Sequence, residues 1–153
     1  MKRVYVAGAG HVGLVTAVLI AQKGNFVSIY EKDERRRRSM ASGKAPFFEP
    51  DLDEQLSNAI EAGLLEVVAD PQRAVALSEL SFVAVGTPTR KDGSVDLAAL
   101  LTACRDFARG LRDSPRYHVL VIRSTVFPGT ISDHVRKTVE RFSDKRGVVT
   151  SDS

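Results

Sequence analysis

An α/β fold is what this sequence predicts: a doubly wound, mostly parallel six-stranded sheet with helices on both faces. Short apolar runs of strand length alternate with helical stretches from one end of the chain to the other, the pattern of parallel strands joined by right-handed crossovers. A glycine-rich turn, Gly8 to Gly13, separates the first apolar run from a long apolar helix. With 153 residues, 43% hydrophobic and 27% charged, the chain suits one globular domain with a proper core.

The strand-like stretches are Arg3–Ala7, Phe26–Glu31, Glu66–Ala69, Leu80–Val85, His118–Arg123 and Gly147–Thr150. Helical spacing falls near 11–23, 34–42, 51–62, 71–77, 96–112 and 129–142. Asp70-Pro71 stops the third strand and starts a short helix, since proline is tolerated in a first helical turn. Asp96 is placed to cap the helix that carries Leu97, and Pro128-Gly129-Thr130 separates the fifth strand from its helix. In such sheets a ligand lies beyond the carboxyl ends of the strands, so the loops after Ala7, Glu31, Val85 and Arg123 are the ones to inspect.

The turn Gly8-Ala9-Gly10-His11-Val12-Gly13 follows Val4-Tyr5-Val6-Ala7 and opens a helical segment from Val12 to about Lys23, while Glu31 closes the next apolar run. Strand, glycine turn, helix, strand and terminal carboxylate form the dinucleotide-binding fingerprint of the Rossmann fold. Gly8 permits the tight turn, Gly10 lets backbone approach a pyrophosphate, and Gly13 lets the helix pack on the sheet. Unpaired N–H groups and the helix dipole then face the phosphates. Glu31 can accept hydrogen bonds from both hydroxyls of an adenosine ribose. It also repels a 2′-phosphate, which favours NAD over NADP, although Lys32, Arg35 and Arg36 lie close enough to offset that repulsion. The plainer alternative is a glycine turn in an unrelated α/β protein, against which the whole context of strand, turn, helix, strand and carboxylate weighs.

Several function classes fall away. The net charge of +3 owes much to Arg35-Arg36-Arg37-Arg38, which reads as a solvated helix face; no basic stripe is interleaved with exposed aromatics, so nucleic acid is not expected as a partner. Cys104 is the only cysteine, which excludes an intrachain disulfide and a cysteine-rich zinc site. It falls on the apolar stripe of Leu97, Leu100, Leu101, Phe107, Ala108 and Leu111 and reads as a small core residue. His118 and His134 lack metal-ligand spacing, and no metal is expected. The start, Lys2-Arg3 and an apolar stretch to Ala21, superficially resembles a secretory signal, but three glycines interrupt it and a soluble α/β pattern follows. A cytoplasmic protein with no membrane partner is expected.

Three further loops carry more specific wording. They are Gly43-Lys44-Ala45-Pro46-Phe47-Phe48-Glu49-Pro50; Val85-Gly86-Thr87-Pro88-Thr89 with Lys91-Asp92-Gly93-Ser94-Val95-Asp96-Leu97; and Arg123-Ser124-Thr125-Val126-Phe127-Pro128-Gly129-Thr130. With the glycine turn, this set resembles the N-terminal NAD-binding domain of the UDP-glucose 6-dehydrogenase and GDP-mannose dehydrogenase family, over nearly the whole chain. The wording after the fourth strand is nearer to the UDP-glucose members. The resemblance implies one dinucleotide-binding domain over 1–153. It implies that Gly8, Gly10, His11, Val12 and Gly13 hold the NAD pyrophosphate, with Glu31 and Arg36 on the adenosine ribose. Val85, Gly86, Thr87, Pro88 and Thr89, with Ser124, Thr125 and Val126, would flank the cofactor towards the nicotinamide. Thr125 is further implied to position a catalytic water. Hydroxyls and loop amides can do such work without bringing net charge beside a hydride acceptor, yet threonines at turns and caps are also commonplace.

Some positions depart from the family. Arg123 stands where members usually carry lysine, His11 replaces the commoner tyrosine, and Glu49 lies in the substrate-side loop yet could simply sit near a helix N-terminus. The family reaction oxidises a sugar primary alcohol twice, to a carboxylate, using two NAD and a cysteine nucleophile. That cysteine, a Pro-Glu-x-Leu glutamate, a lysine and an asparagine follow this domain in the family, together with a central dimer helix and a substrate domain. The expectation is therefore a truncated or split chain, not active alone, which meets a nucleotide sugar only with the missing C-terminal half. Its expected partner is a second copy or a complementing fragment. The alternative is a stand-alone NAD(P)-binding or regulatory module without catalysis.

Overall fold

The structure, a computed structural model, describes residues 1–112 and 114–148. Its strands are β1 (Arg3–Ala7), β2 (Phe26–Tyr30), β3 (Leu65–Val68), β4 (Leu80–Val83) and β5 (Val119–Ile122). Its helices are α1 (His11–Gln22), α2 (Glu34–Ala41), α3 (Leu52–Glu61), α4 (Pro71–Leu77), α5 (Ala98–Arg112) and α6 (Lys137–Ser143). A π-helical stretch, Ile131–Arg136, runs directly into α6. The strands pair in parallel in the order β3-β2-β1-β4-β5, with Ala7 opposite Tyr30 on one side and Val83 on the other. The winding reverses at β1, between β2 and β4, and that reversal opens a crevice at the carboxyl end of the sheet.

Strand side chains alternate between faces, and β1 sorts its residues accordingly. Val4 and Val6 join Val27, Ile29, Leu14, Val18 and Leu56 under α1 and α3. Tyr5 and Ala7 join Val83, Val75, Leu100, Cys104 and Phe107 under α4 and α5. Both faces are covered, which is why the strands read as continuous apolar runs. Cys104 is fully buried, and burial pushes its thiol up to about 12, so it is the inert core residue its position on the α5 stripe predicts. Among the described residues, no helix is long and apolar enough to cross a membrane.

Local capping chemistry sets the helix starts. Asp70 accepts hydrogen bonds from the amides of Gln72 and Arg73 at 3.0 and 3.1 Å, with Pro71 in the first turn of α4. Asp96 accepts from the Ala98 amide at 2.9 Å and so fixes the start of α5. β4 stops at Val83, two residues before the expected end, because its neighbour β1 ends at Ala7, and the Ala84 amide makes the last bond, to Ala7 O, at 2.8 Å. The sheet has five strands among the described residues, not six. Gly147 and Val148 are not extended along β5: Glu140 on α6 accepts a hydrogen bond from the Gly147 amide at 3.1 Å and draws the chain towards that helix. Val149 and Thr150, the rest of the expected strand, lie outside the described residues.

His118 lies beside β5, at the sheet end opposite the crevice. Its Nε2 is 2.8 Å from Ser81 Oγ on β4, and its ring meets Phe107 edge-on with centroids 5.0 Å apart. Burial pushes the imidazole down to about 4. An unfolded chain takes up that proton near the ordinary value of 6.5, while the folded chain does not, so protons favour unfolding throughout the interval. Stability will therefore decline as the pH falls from about 6.5 towards 4. Urea midpoints measured across that range should show the decline, and His118→Gln should flatten it.

Candidate functional site

The crevice is built around the glycine turn. Gly8 has φ +95° and its amide donates to Tyr30 O at 2.8 Å, which fastens the turn to β2. A Cβ on Gly8 would collide with the Ala84 carbonyl. A Cβ on Gly13 would overlap the Gly8 carbonyl oxygen, so α1 approaches the end of β1 only because position 13 has no side chain. Gly10 is different. Its φ is −74°, which any residue adopts, and a Cβ there would meet nothing within 4 Å. No side chain caps α1 and no acidic residue lies in its first turn, so its leading N–H groups and the positive end of its dipole face the crevice uncompensated.

Glu31, one residue past β2, is buried to 6% exposure. It accepts hydrogen bonds from the Ala9 amide at 3.2 Å and the Asp33 amide at 3.1 Å. The Arg36 guanidinium stands 4.0 Å away. The carboxylate thus holds the glycine turn, and its remaining lone pairs face the cleft. The arginine run is more than a solvated face. Asp33 caps α2 through the amides of Arg35 and Arg36, which aims Arg36 at Glu31. Arg37 donates to the carbonyls of Glu31 and Lys32 at 2.6 and 2.9 Å and lies over the Tyr30 ring. Arg38 pairs with Glu34, one helical turn away.

A cleft of about 700 Å³ opens at this point. Of the residues expected to bind a cofactor, it brings together Gly8, Gly10, Glu31, Arg36, Val85, Gly86 and Pro88. His11, Val12 and Gly13, in the first turn of α1, do not line it; the His11 ring stacks on Phe47 with centroids 3.8 Å apart, tying α1 to the loop before α3. Thr87, Thr89, Ser124, Thr125 and Val126 do not line it. Thr87 donates to Thr125 O, Ser124 donates to Val85 O, and Thr89 bridges Val95 across the turn that follows. Of the basic residues near Glu31, Lys32 and Arg36 border the cleft, whereas Arg35 does not.

One wall was not anticipated. Ala99, Thr102, Ala103 and Asp106 on α5 face the cleft, with Tyr5 at its inner end. Burial raises the Tyr5 hydroxyl far above its ordinary value, with the Asp106 charge adding to it, so the group is a neutral phenol at any working pH. The signal was available: 99, 103 and 106 repeat at helical spacing as a second stripe of small and polar residues, offset from the buried stripe of Leu100, Cys104, Phe107 and Leu111.

An uncapped helix start beside a glycine turn, a buried carboxylate after the second strand and a cleft across the winding reversal define a Rossmann-type dinucleotide-binding domain. Residues 2–152 match the UDP-glucose/GDP-mannose dehydrogenase family, NAD binding domain, and the chain belongs to that family. It is 34% identical over 147 residues to the GDP-mannose 6-dehydrogenase of Pseudomonas aeruginosa, covering 96% of this chain and 34% of that protein. It is 38% identical over 138 residues to the UDP-glucose 6-dehydrogenase of Rhizobium meliloti, covering 90% and 31%. The fold superposes with a TM-score of 0.91 on a ternary complex of GDP-mannose dehydrogenase from Pseudomonas aeruginosa, at 34% identity over 94% of this chain and 33% of that one. The UDP-glucose dehydrogenase of the archaeon Pyrobaculum islandicum gives the same TM-score, 0.91, at 36% identity over 95% and 34%. The chain thus spans about a third of the length of the relatives it matches.

The contact between positions 8 and 13 can be tested by stability alone. Gly13→Ala forces a methyl group into the Gly8 carbonyl and should destabilise the fold by about 1–3 kcal/mol, the usual range for overpacking. A urea titration should show a lower midpoint at unchanged slope.

Proposed function

We propose that this domain binds NAD across the cleft as the cofactor half of a nucleotide-sugar 6-dehydrogenase. Gly8 to Gly13 would take the pyrophosphate on the α1 amides, Glu31 and Arg36 the adenosine ribose, and the loops Val85–Thr89 and Ser124–Val126 the nicotinamide end. When bound, NAD supplies a hydride acceptor. The chain's own residues bind it, orient it and keep net charge away from that end. The substrate class is a nucleotide sugar, with UDP-glucose favoured by the wording of the loop after β4, and the complete reaction a double oxidation of its primary alcohol. Residues 1–153 form the dinucleotide-binding domain in this reading. A cytoplasmic setting and a self-associated or complemented assembly belong to it as well.

The observation that carries the assignment is Gly10. Gly8 and Gly13 are required by contacts inside the fold, but nothing inside it requires a glycine at 10: the backbone angle is ordinary and a Cβ would project into open space beside the cleft. A bound diphosphate drawn against the α1 amides supplies the missing reason. The residues fit the cofactor on that ground.

Gly10→Ala separates ligand from fold. Its thermal midpoint should stay close to that of the parent chain, while NADH affinity, followed by fluorescence titration, should weaken about tenfold or more. Equal affinity in the two proteins would refute the assignment. A parent chain that fails to bind NADH would refute it more directly.

A further inference from the structure

Past their ends, β4 and β5 stop pairing backbone to backbone. The last ladder bond runs from the Arg123 amide to Val83 O at 2.8 Å. Two side-chain hydroxyls then take over in opposite directions. Thr87 Oγ1 donates to the Thr125 carbonyl at 2.7 Å, and Ser124 Oγ donates to the Val85 carbonyl at 2.7 Å. Each loop therefore gives one hydroxyl and receives one, and both side chains are half-buried. A hydroxyl has a single proton to donate, so neither donor remains for a ligand. The lacing uses the carbonyls of both loops and leaves the amides of Gly86, Thr87, Ser124 and Thr125 outside any loop-to-loop bond. Two loops so joined hold a fixed separation and present hydrogen-bond donors, with no charged side chain in the lacing.

We infer that Thr87 and Ser124 are positioning residues: their reciprocal hydroxyl-to-carbonyl bonds set the spacing of the two loops, so that loop amides meet the acceptor groups of the nicotinamide–ribose end of NAD. The inference rests on the NAD assignment above and changes what these residues do within it. They shape the wall rather than touch the cofactor with their hydroxyls. Because the bonds act on one end of the ligand, their loss is confined to that end. The adenosine and diphosphate end is held by Gly8–Gly13, Glu31 and Arg36, on the other side of the β1 reversal.

The test compares NADH with ADP, which has the adenosine diphosphate half and neither the nicotinamide nor its ribose, on the 153-residue chain. Thr87→Val and Ser124→Ala should each weaken NADH about five- to tenfold by fluorescence titration. ADP affinity, by calorimetry, should stay within about twofold. The double variant should lose scarcely more than either single one, because one broken bond already frees the loops. Thr87→Ser, which keeps the hydroxyl, should restore NADH binding. Equal loss of both ligands would show a merely structural role and overturn the inference, and unchanged NADH binding would overturn it too. If the unmodified chain binds neither ligand, the NAD assignment fails first. If it binds both and the variants match it, the inference alone fails.

Discussion

At the end of β1, the carbonyl of Gly8 and the backbone of Gly13 lie so close that a methyl group at position 13 has no room. That contact sets where α1 begins relative to the sheet, and so where its uncompensated amides point. Moving α1 outward by the thickness of a methyl group would separate those amides from the crevice between β1 and β4. That contact requires the last glycine of the turn, whereas the first is required by its φ of +95° and by the Ala84 carbonyl that a Cβ would strike. Under the proposed function, a steric constraint inside the fold and a ligand requirement at Gly10 are interleaved in six residues.

Much of the fold was legible because the sheet is covered on both faces. Val4 and Val6 on one side and Tyr5 and Ala7 on the other leave no charged position in β1 after Arg3, and the run could be read as a buried parallel strand without knowing its partners. Asp70-Pro71 and Asp96 were readable because capping is local: an aspartate two or three residues before the amide it accepts from needs no tertiary information. What depended on distant partners was not readable. The expected sixth strand is not formed at Gly147 and Val148, its described residues, where Glu140, on a helix, holds the Gly147 amide, a competitor that local sequence does not announce. The π-helical start of the last helix, over Ile131–Arg136, also carries no sequence signal that we can identify.

The candidate site divides along the same line. Gly8, Gly10, Gly13 and Glu31 were recognisable as a spaced pattern, and the structure brings Gly8, Gly10 and Glu31 to one cleft, with Gly13 packed behind against the Gly8 carbonyl. Thr87, Ser124 and Thr125 were recognisable as unusual loops but not for what they do, since a hydroxyl's partner is fixed by the neighbouring loop across 38 or 39 residues of sequence. The α5 wall went unread because a helix that serves a core on one face and a cleft on the next shows two offset stripes, and the stronger apolar one draws the eye. Arg37 was read only as part of a solvated run, and Arg36 was singled out from that run only through the family resemblance. Consecutive helical residues point in different directions, and two of those directions lead back to Glu31, Tyr30 and the carbonyls after β2.

Glu31 has two employments. The carboxylate that would turn away an extra phosphate on the ribose is also the acceptor for the amides of Ala9 and Asp33, and through Ala9 it braces the glycine turn. Coenzyme preference in this fold is therefore not an independent dial. Exchanging Glu31 for an apolar or basic residue to admit the phosphorylated coenzyme would orphan a buried amide, that of Ala9, at the mouth of the crevice. Any lineage making that change needs a second substitution nearby to supply the lost acceptor.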